Sequence, residues 1–481
     1  MELLLCSPLA AAPAQLDRPA VLAGERVWTW RQVHEASIAL SRRLGDAPAV
    51  CNLCSSRLGF LITTLAALRN RSLMILPPST SRADLGAVLE ACARTALVGD
   101  PRAWPELWST DGCEPSWYLP CNPEWKPATT SNEALAWSPA WDDVAVLLHT
   151  SGSTGAPEAQ PKTLRHLATG ALVLGMRLTA LVDGGLAAVE RIVCSVPPQH
   201  MFGLECSVML PLVHGTPLLD RRPLLPADVR AALAEAPGSA WIATPMHLRS
   251  VVQAAESVAT CSLVIVSTMP LAPVLARDSE RLIGAPVLEI YGSTETGALA
   301  MRRTARETRW LPLDGVRLET GPAGATVGHG AHFASPVTLL DELVVDADGR
   351  FTLLGRQGDL IKIAGRRASL AGLNLLLREL PGLDDGVFYL PDIGDATPRL
   401  CLIYAGTPLD HAAARRWLRA RVDPVFLPRV FIRLDRLPRS ESGKLRRQML
   451  DLVYAESCTF PTPKATRSPG IEQRKKQPTL S

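Results

Sequence analysis

Residues 144–157 read VAVLLHTSGSTGAP, and they predict a strand followed by a polar loop. Its first five residues, Val144–Leu148, form a short apolar run that predicts a buried strand. The hydroxyl- and glycine-rich residues after it predict a loop that leaves the strand end. Glycines there let backbone N–H groups converge on an anion, and Ser and Thr hydroxyls add further donors. The stretch therefore predicts either a phosphate-binding loop or a flexible Gly/Ser connector. It does not fit a Walker A loop, because no Lys-Ser/Thr pair follows the second glycine at the required spacing.

Length and composition limit the classes of protein to consider. A chain of 481 residues predicts more than one folding unit, about three on length alone. Its 47% hydrophobic and 20% charged residues are ordinary for a soluble globular protein. The net charge of +3 comes from residues 458–481, which we expect to form a disordered basic tail. Nucleic-acid binding is therefore not expected, and no apolar run is long enough to predict stable membrane insertion.

The cysteines indicate a reducing compartment. Eleven of them are scattered along the chain, an odd number that does not form a disulfide framework, so we expect a cytoplasmic protein. Cys51 and Cys54 have the spacing of a metal-ligand pair, but no second pair accompanies them. Two buried thiols on or near a strand are the expected outcome.

Strand and helix patterns alternate near the N-terminus. Helices are predicted over 30–44 and about 58–68, and strands over 49–53 and 73–77. This βαβ order predicts a mostly parallel, layered α/β domain. A smaller α+β unit is predicted further on, with a helix over 412–422 and a strand near 430–434.

A second polar motif follows the predicted strand Val287–Tyr291. It is Gly292-Ser293-Thr294-Glu295-Thr296-Gly297, and ligands of parallel α/β sheets bind where strands end. A tyrosine face can stack on a base, and a glutamate is a hard ligand suited to Mg²⁺. The alternative is a Gly/Thr turn with a solvated glutamate.

Four motifs in this order resemble those of the adenylate-forming superfamily, which includes acyl- and aryl-CoA synthetases and peptide-synthetase adenylation domains. The run from Thr150 to Gly155, followed by Pro157, resembles its phosphate loop, and Tyr291–Glu295 resembles its Tyr-Gly-x-Thr-Glu signature. The segment 355–365 is similar to its inter-domain hinge, and 438–444 to its C-terminal Ser-Gly-Lys motif. The resemblance extends over roughly residues 20–450.

The resemblance implies a role for each matched residue. It implies an ATP site made by Thr150, Ser151, Gly152, Ser153, Thr154, Gly155, Lys162, Tyr291, Gly292, Ser293, Asp341 and Arg356. It implies a carboxylic-acid pocket at His200, Met201, Phe202 and Gly203, and a hinge at Gly358. It implies catalytic roles for Thr294, Glu295 and Lys444, with Glu295 also holding Mg²⁺.

Several positions depart from the family pattern. Glu158 stands where the family usually has a lysine, so Lys162 is expected to supply that charge, or the charge is absent. Ser267 and Thr268 replace two glycines that lie against the adenine in the family. Leu339-Leu340 replaces Thr-Gly before the ribose-binding Asp341, and Gly358 replaces the usual hinge Asp or Lys.

The resemblance further implies an AMP-forming acid–thiol ligase. Its substrates would be ATP with Mg²⁺, an aryl or acyl carboxylic acid, and a thiol from coenzyme A or a phosphopantetheinyl acyl carrier protein. The predicted domains are a large adenylation domain over 1–355, a small mobile domain over 356–457 and the tail over 458–481. The alternative is a nucleotide-binding homologue that keeps the fold and has lost catalysis.

Overall fold

The computed structural model describes most of the chain. The described residues are 2–77, 85–86, 90, 92, 94–100, 118–125, 135, 137–151, 157–182, 184–254, 256, 258, 261–321, 325–356, 360–363, 366–391, 399–439, 445 and 447–459. The predicted hinge Gly358 and residues 460–481 of the predicted tail lie outside them. Residues 458–459, predicted as the start of the disordered tail, are instead the end of a helix. The chain divides into two compact units, and the larger contains nearly all of the N-terminal 360 residues.

The larger unit is built from two extended sheets and three short strand pairings. Its strands are β1 (Pro19–Ala23), β2 (Arg26–Thr29), β3 (Ala49–Asn52), β4 (Leu73–Leu76), β5 (Thr95–Gly99), β6 (Tyr118–Pro120), β7 (Val144–Ser151), β8 (Pro157–Thr163), β9 (Ile192–Cys194), β10 (Leu218–Leu219), β11 (Ala240–Ala243), β12 (Leu263–Val266), β13 (Val287–Ser293), β14 (Gly297–Arg302), β15 (Leu311–Pro312), β16 (Arg317–Thr320), β17 (Thr326–His329), β18 (Val337–Thr338), β19 (Asp341–Val345) and β20 (Phe351–Arg356). Strands β21 (Leu360–Ile363) and β22 (Arg366–Ser369) form a further two-stranded sheet, whose residues 361–363 and 366–367 belong to the smaller unit.

Both extended sheets have parallel interiors, with antiparallel strands at both edges of the nine-stranded sheet and at one edge of the six-stranded sheet. The nine-stranded sheet has the order β15-β14-β13-β12-β11-β9-β10-β1-β2, and the six-stranded sheet the order β6-β5-β3-β4-β7-β8. Strands β9 and β11 to β13 pair in parallel, whereas β14 and β15 close that edge in antiparallel fashion. The predicted mostly parallel, layered α/β domain is thus confirmed.

Helices cover these sheets, and they begin and end where local sequence dictates. The α-helices before β23 are α1 (Glu2–Leu5), α2 (Pro13–Leu16), α3 (Trp30–Leu44), α4 (Arg57–Asn70), α5 (Leu164–Thr179), α6 (Met201–Leu204), α7 (Leu210–His214), α8 (Pro226–Ala234), α9 (Pro245–Ala254), α10 (Pro273–Ile283) and α11 (Leu370–Leu377). A π-helical segment, Glu205–Met209, joins α6 to α7. Helix α3 has the predicted bounds because a Thr29–Gln32 capping box starts it and Gly45, at φ 57°, ends it.

Helix α4 joins the two sheets. It is buried from Arg57 to Leu68, which explains why its apolar residues occur on every face and not on one stripe. The buried Arg57 guanidinium donates to the carbonyls of Cys194 (3.1 Å) and Val196 and to the Ser207 hydroxyl (3.1 Å). Helix α4 thereby holds the end of β9, where the predicted acid-pocket segment begins.

The smaller unit is an α+β structure, as predicted. Strands β23 (Asp385–Tyr389), β24 (Cys401–Ala405) and β25 (Val430–Leu434) form its sheet, and its helices include α12 (His411–Arg419) and α13 (Arg447–Thr459). Tyr389 donates to Asp451 of α13 at 2.5 Å, and Arg439 forms a bidentate pair with Asp385 at 2.7 and 2.8 Å.

One loop prediction was wrong. Thr150 and Ser151, expected in a loop, are the last residues of β7 and pair with Glu158 and Pro157 of β8. The antiparallel partner supplies backbone hydrogen bonds that extend the strand beyond its apolar run. Residues 152–156, including Gly152, Ser153, Thr154 and Gly155, lie outside the described residues.

The thiols near the start of the chain are buried, as predicted. Cys51 and Cys54 are buried and free, and burial raises the pKa of Cys51 to about 12. The nine cysteines whose side chains the structure describes are all free. None of the described helices has both the length and the apolar composition needed to cross a membrane.

His34 is a fully buried titratable group within α3. Its Nε2 donates to the Pro8 carbonyl at 2.8 Å, and its Nδ1 accepts from Arg69 at 3.0 Å. Burial, with the nearby Arg69 charge, lowers the pKa of His34 to about 3. Between that value and its ordinary 6.5, the unfolded chain binds a proton that the folded chain does not, so stability falls as the pH falls.

We therefore expect His34→Gln to reduce the acid sensitivity of the larger unit. Below pH 6.5 the wild type should lose about 1.4 kcal/mol more per pH unit than the variant. Urea unfolding between pH 6.5 and 4.5 measures this difference. Equal slopes for the two proteins would contradict it.

Candidate functional site

The second polar motif forms the turn of the β13–β14 hairpin. Gly292 pairs with Ala298 and Ser293 with Gly297. A Cβ on Gly292 would lie 2.0 Å from the Gly297 carbonyl oxygen, and Gly297 has a φ of 67°. A side chain at either position would therefore displace or strain the hairpin, so both glycines are needed for this turn.

Bonds within the turn fix its shape. The Ser293 N–H donates to the Thr296 hydroxyl at 3.0 Å, and the Thr296 N–H donates to the Ser293 hydroxyl at 3.3 Å. Thr294 and Glu295 lie between these residues with half-buried side chains. Within the described part of the chain, the Glu295 carboxylate makes no ion pair or side-chain hydrogen bond. No described residue therefore competes with an external group for its oxygens.

Two predicted nucleotide-binding residues are in direct contact. The Tyr291 hydroxyl donates to Asp341 Oδ2 at 2.6 Å. The Tyr291 ring packs against Trp310 and Phe351, with centroids 5.6 and 5.7 Å apart, which orients both the ring and the hydroxyl. Asp341 is also the backbone partner of Arg356 across β19 and β20. Three residues assigned to the nucleotide site on resemblance are thus adjacent in the structure.

Lys162 is buried against the same turn. It lies on β8, is 4% exposed, and its Nζ donates to the Glu295 carbonyl oxygen. Burial lowers the pKa of Lys162 to about 8, although the charges of Glu295 and Glu205 oppose this shift. The ammonium group predicted to meet a phosphate therefore bonds the backbone of a predicted catalytic residue.

Glu205 and His332 were not predicted, and both hold the residue that follows the turn. Glu205 accepts from the Ala298 N–H at 3.1 and 3.3 Å, and burial raises the pKa of this glutamate to about 7. His332 donates from Nε2 to the Ala298 carbonyl at 2.9 Å, and burial lowers the pKa of this histidine. A single acid within the apolar run 202–213 was a signal that could have identified Glu205. His332, in a loop, carried no comparable signal.

The predicted acid-pocket segment is helical from its second residue; its place directly after an apolar strand had indicated a loop. His200 is the N-cap of α6, and Met201, Phe202 and Gly203 lie within it. A Cβ on Gly203 would lie 1.8 Å from the Pro197 carbonyl oxygen, so the glycine lets the helix pack closely on the preceding chain. A Cβ on Gly297 would lie 3.2 Å from both Met201 Cε and Glu205 Oε1. The predicted acid pocket and the hairpin turn are thus neighbours.

The loop after β12 contains a strained residue. Thr268 has a φ of 80°, and its buried hydroxyl has no hydrogen-bond partner among the described residues. Neighbouring contacts hold the loop in place: Ser267 donates to the Ile290 carbonyl at 3.0 Å, and the Leu271 N–H donates to the buried Glu289 at 2.8 Å. The threonine thus occupies a left-handed conformation that suits the glycine expected from the family pattern.

The remaining predicted residues have a described backbone only, or lie outside the described residues. Backbone positions alone are described for Thr150, Ser151 and Arg356. Lys444 and Gly358 lie outside the described residues, so their roles stay predictions. The described residues contain no cluster of three or more His, Cys, Asp or Glu side chains arranged to hold a metal.

Comparison with known proteins confirms the predicted superfamily. The family model described as AMP-binding enzyme matches residues 9–350. The 4-coumarate–CoA ligase of Cereibacter sphaeroides is 26% identical over 302 residues, covering 62% of this chain and 69% of that protein. Enterobactin synthase component F of Escherichia coli is 24% identical over 507 residues, covering 91% of this chain but only 38% of that longer protein.

Solved structures share the fold over nearly the whole chain. An anthranilate CoA ligase in complex with anthranoyl-AMP gives a TM-score of 0.79 at 15% identity, covering 94% of this chain and 98% of that one. The o-succinylbenzoate CoA synthetase of Bacillus subtilis in complex with its acyl-adenylate gives 0.76 at 16% identity, covering 92% and 97%. These similarities confirm the predicted fold.

We expect Thr268→Gly to be more stable than Thr268→Ala by about 1 kcal/mol, because only glycine adopts a positive φ without strain. Both variants lack the unpartnered hydroxyl, so their difference isolates the backbone conformation. Urea unfolding of the two proteins measures it. A Thr268→Ala variant as stable as Thr268→Gly would contradict the inferred strain.

Proposed function

The chain belongs to the AMP-binding enzyme family, and from that premise we propose that it activates a carboxylic acid with ATP and passes the acyl group to a thiol. In the first step a carboxylate oxygen bonds to the α-phosphorus of ATP, and the bond to the bridging oxygen breaks. The products are acyl-AMP and pyrophosphate. In the second step a thiol attacks the acyl carbonyl carbon and AMP leaves.

One juxtaposition supports this proposal above others. The hairpin turn with Thr294 and Glu295 connects Tyr291, whose hydroxyl bonds Asp341, to Gly297, which Met201 of α6 approaches closely. A nucleotide held by Tyr291 and Asp341 would place its α-phosphate near the turn, and an acid held beside Met201 would approach from the other side. Holding two anionic groups in reacting geometry is the main task of this step.

Mg²⁺ is the metal that these residues suit. The Glu295 carboxylate provides hard oxygen ligands and makes no ion pair with any described residue. Bound there, Mg²⁺ would neutralise charge on the ATP phosphates. Thr294 would donate to an α-phosphate oxygen, and the proposed Lys444 ammonium would stabilise the charge that builds on phosphorus oxygens.

The acid and the acceptor are proposed as classes. Relatives named as 4-coumarate–CoA ligase and enterobactin synthase component F support a small aryl or acyl acid. The name 4-coumarate–CoA ligase supports coenzyme A as the source of the thiol. A phosphopantetheinyl carrier protein is the alternative acceptor that the superfamily resemblance implies. The free cysteines among the described residues support a cytoplasmic location.

Pyrophosphate release tests the proposal directly. We expect the wild-type chain with ATP, Mg²⁺ and a panel of aryl and fatty acids to release pyrophosphate with at least one acid and with none in its absence. Adding coenzyme A or a carrier protein afterwards should release AMP and identify the acceptor. ATP binding without acid-dependent release by any member of the panel would instead favour the non-catalytic nucleotide-binding homologue.

We also expect Lys444→Ala to lower acid-dependent pyrophosphate release by about 10²–10³-fold, because one preorganised cationic donor is lost. ATP binding, measured by calorimetry, should change little. Lys464→Ala, in the predicted tail, is the matched control and should retain wild-type turnover. Unchanged turnover in Lys444→Ala would remove this lysine from the mechanism.

A further inference from the structure

Three buried polar side chains from outside the β13–β14 hairpin hold its turn. Lys162 of β8 donates to the Glu295 carbonyl, Glu205 of the π-helical segment accepts from the Ala298 N–H, and His332 donates to the Ala298 carbonyl. Each is at most 4% exposed. They come from three different parts of the larger unit, and their bonds lie on both sides of Gly297.

Packing alone does not explain why Lys162 and Glu205 are buried against the turn. Burying an ammonium or a carboxylate costs several kcal/mol unless excellent partners compensate. Within the described residues Lys162 and Glu205 form no salt bridge, and each bonds a backbone group of the hairpin instead. Apolar residues would fill the same space at lower cost. The polar contacts therefore fix the peptide groups of the turn in a way that apolar packing would not.

The held peptide groups orient the residues assigned to the reaction. Bonds between Ser293 and Thr296 set the interior of the turn. The external bonds then fix the carbonyl of Glu295 and both polar groups of Ala298. Rotation of the peptide group after Glu295, or of the peptide groups on either side of Ala298, would redirect the side chains of Thr294 and Glu295. All of these groups belong to one short backbone segment.

We propose that Lys162, Glu205 and His332 are positioning residues that hold the Thr294–Glu295 turn for acid activation, with Lys162 acting through the Glu295 carbonyl. This inference rests on the proposed function. It also replaces the expectation that Lys162 binds a phosphate. The three side chains preorganise the turn and need not touch ATP.

Paired variants separate lost hydrogen bonding from lost volume. Lys162→Met, Glu205→Leu and His332→Leu remove the bond, whereas Lys162→Arg, Glu205→Gln and His332→Gln retain a donor or acceptor. We expect kcat for pyrophosphate release to fall about 10- to 100-fold in the first set, since a misplacement of about 1 Å can cost that much. The second set should recover most of it, and the ATP dissociation constant should stay within about threefold of wild type throughout.

Glu280→Gln is the matched control. Glu280 pairs with Arg303 at 2.8 and 2.9 Å and accepts from the Val287 N–H at 3.0 Å, at the opposite end of β13. This variant should lose stability but keep kcat within about twofold, because it leaves the turn in place. A comparable loss of kcat in Glu280→Gln would overturn the inference, because general destabilisation would then explain the loss of kcat in the turn variants. A rise in the ATP dissociation constant of Lys162→Met matching its loss of kcat/KM would also overturn it, by making Lys162 a phosphate ligand.

Hydrogen exchange of the free protein gives a readout that does not depend on activity. We expect the amides of residues 293–298 to exchange at least tenfold faster in Glu205→Leu and Lys162→Met than in wild type, and at the wild-type rate in Glu280→Gln. Unchanged exchange in the first two variants would overturn the inference. If the wild type released no pyrophosphate with any acid, the proposed function would be wrong. The hydrogen-exchange rates would still show whether the three side chains hold the turn.

Discussion

The close approach of β13 and β14 at Gly292 is the constraint on which the site depends. A Cβ there would lie 2.0 Å from the Gly297 carbonyl oxygen, and Gly297 adopts a φ that suits glycine. The hairpin therefore turns sharply and presents Thr294 and Glu295 at a strand end. Gly297 also lets Met201 and Glu205 approach the turn. Because Gly292 and Gly297 have no side chains, the proposed nucleotide and acid sites can lie close together.

Electrostatics adds a second constraint to this geometry. The buried Lys162 and Glu205 have pKa values moved toward each other, to about 8 and about 7, chiefly because burial disfavours both charges. Groups in such environments cluster at functional sites. Both lie in the larger unit, as do Tyr291, Asp341, Thr294 and Glu295. The described part of the site is therefore built within one compact unit.

Local signals allowed much of the fold to be predicted. Helix α3 has its predicted bounds because a capping box and a glycine mark its ends, and β25 lies at the predicted residues 430–434. The Tyr-Gly-Ser-Thr-Glu motif was identified because its residues are contiguous. The order of the motifs indicated the superfamily, and the family match confirms it.

Features set by distant parts of the chain could not be predicted. Thr150 and Ser151 extend β7 because β8 pairs with them, and an apolar run does not reveal that pairing. Glu205 and His332 bond Ala298 across separations of 93 and 34 residues, which no local pattern reports. The domain boundary at residue 355, the hinge at Gly358 and the role of Lys444 stay predictions, because they concern motion or residues outside the described ranges.

ATP–pyrophosphate exchange measures whether acyl-AMP forms reversibly. We expect the Tyr291–Asp341 pair, the Thr294–Glu295 turn and the acid-pocket helix together to support this reversible step. Labelled pyrophosphate should then enter ATP only when a suitable acid is present and no thiol acceptor is added. Exchange that needs no acid, or no exchange with any acid while ATP still binds, would contradict this account.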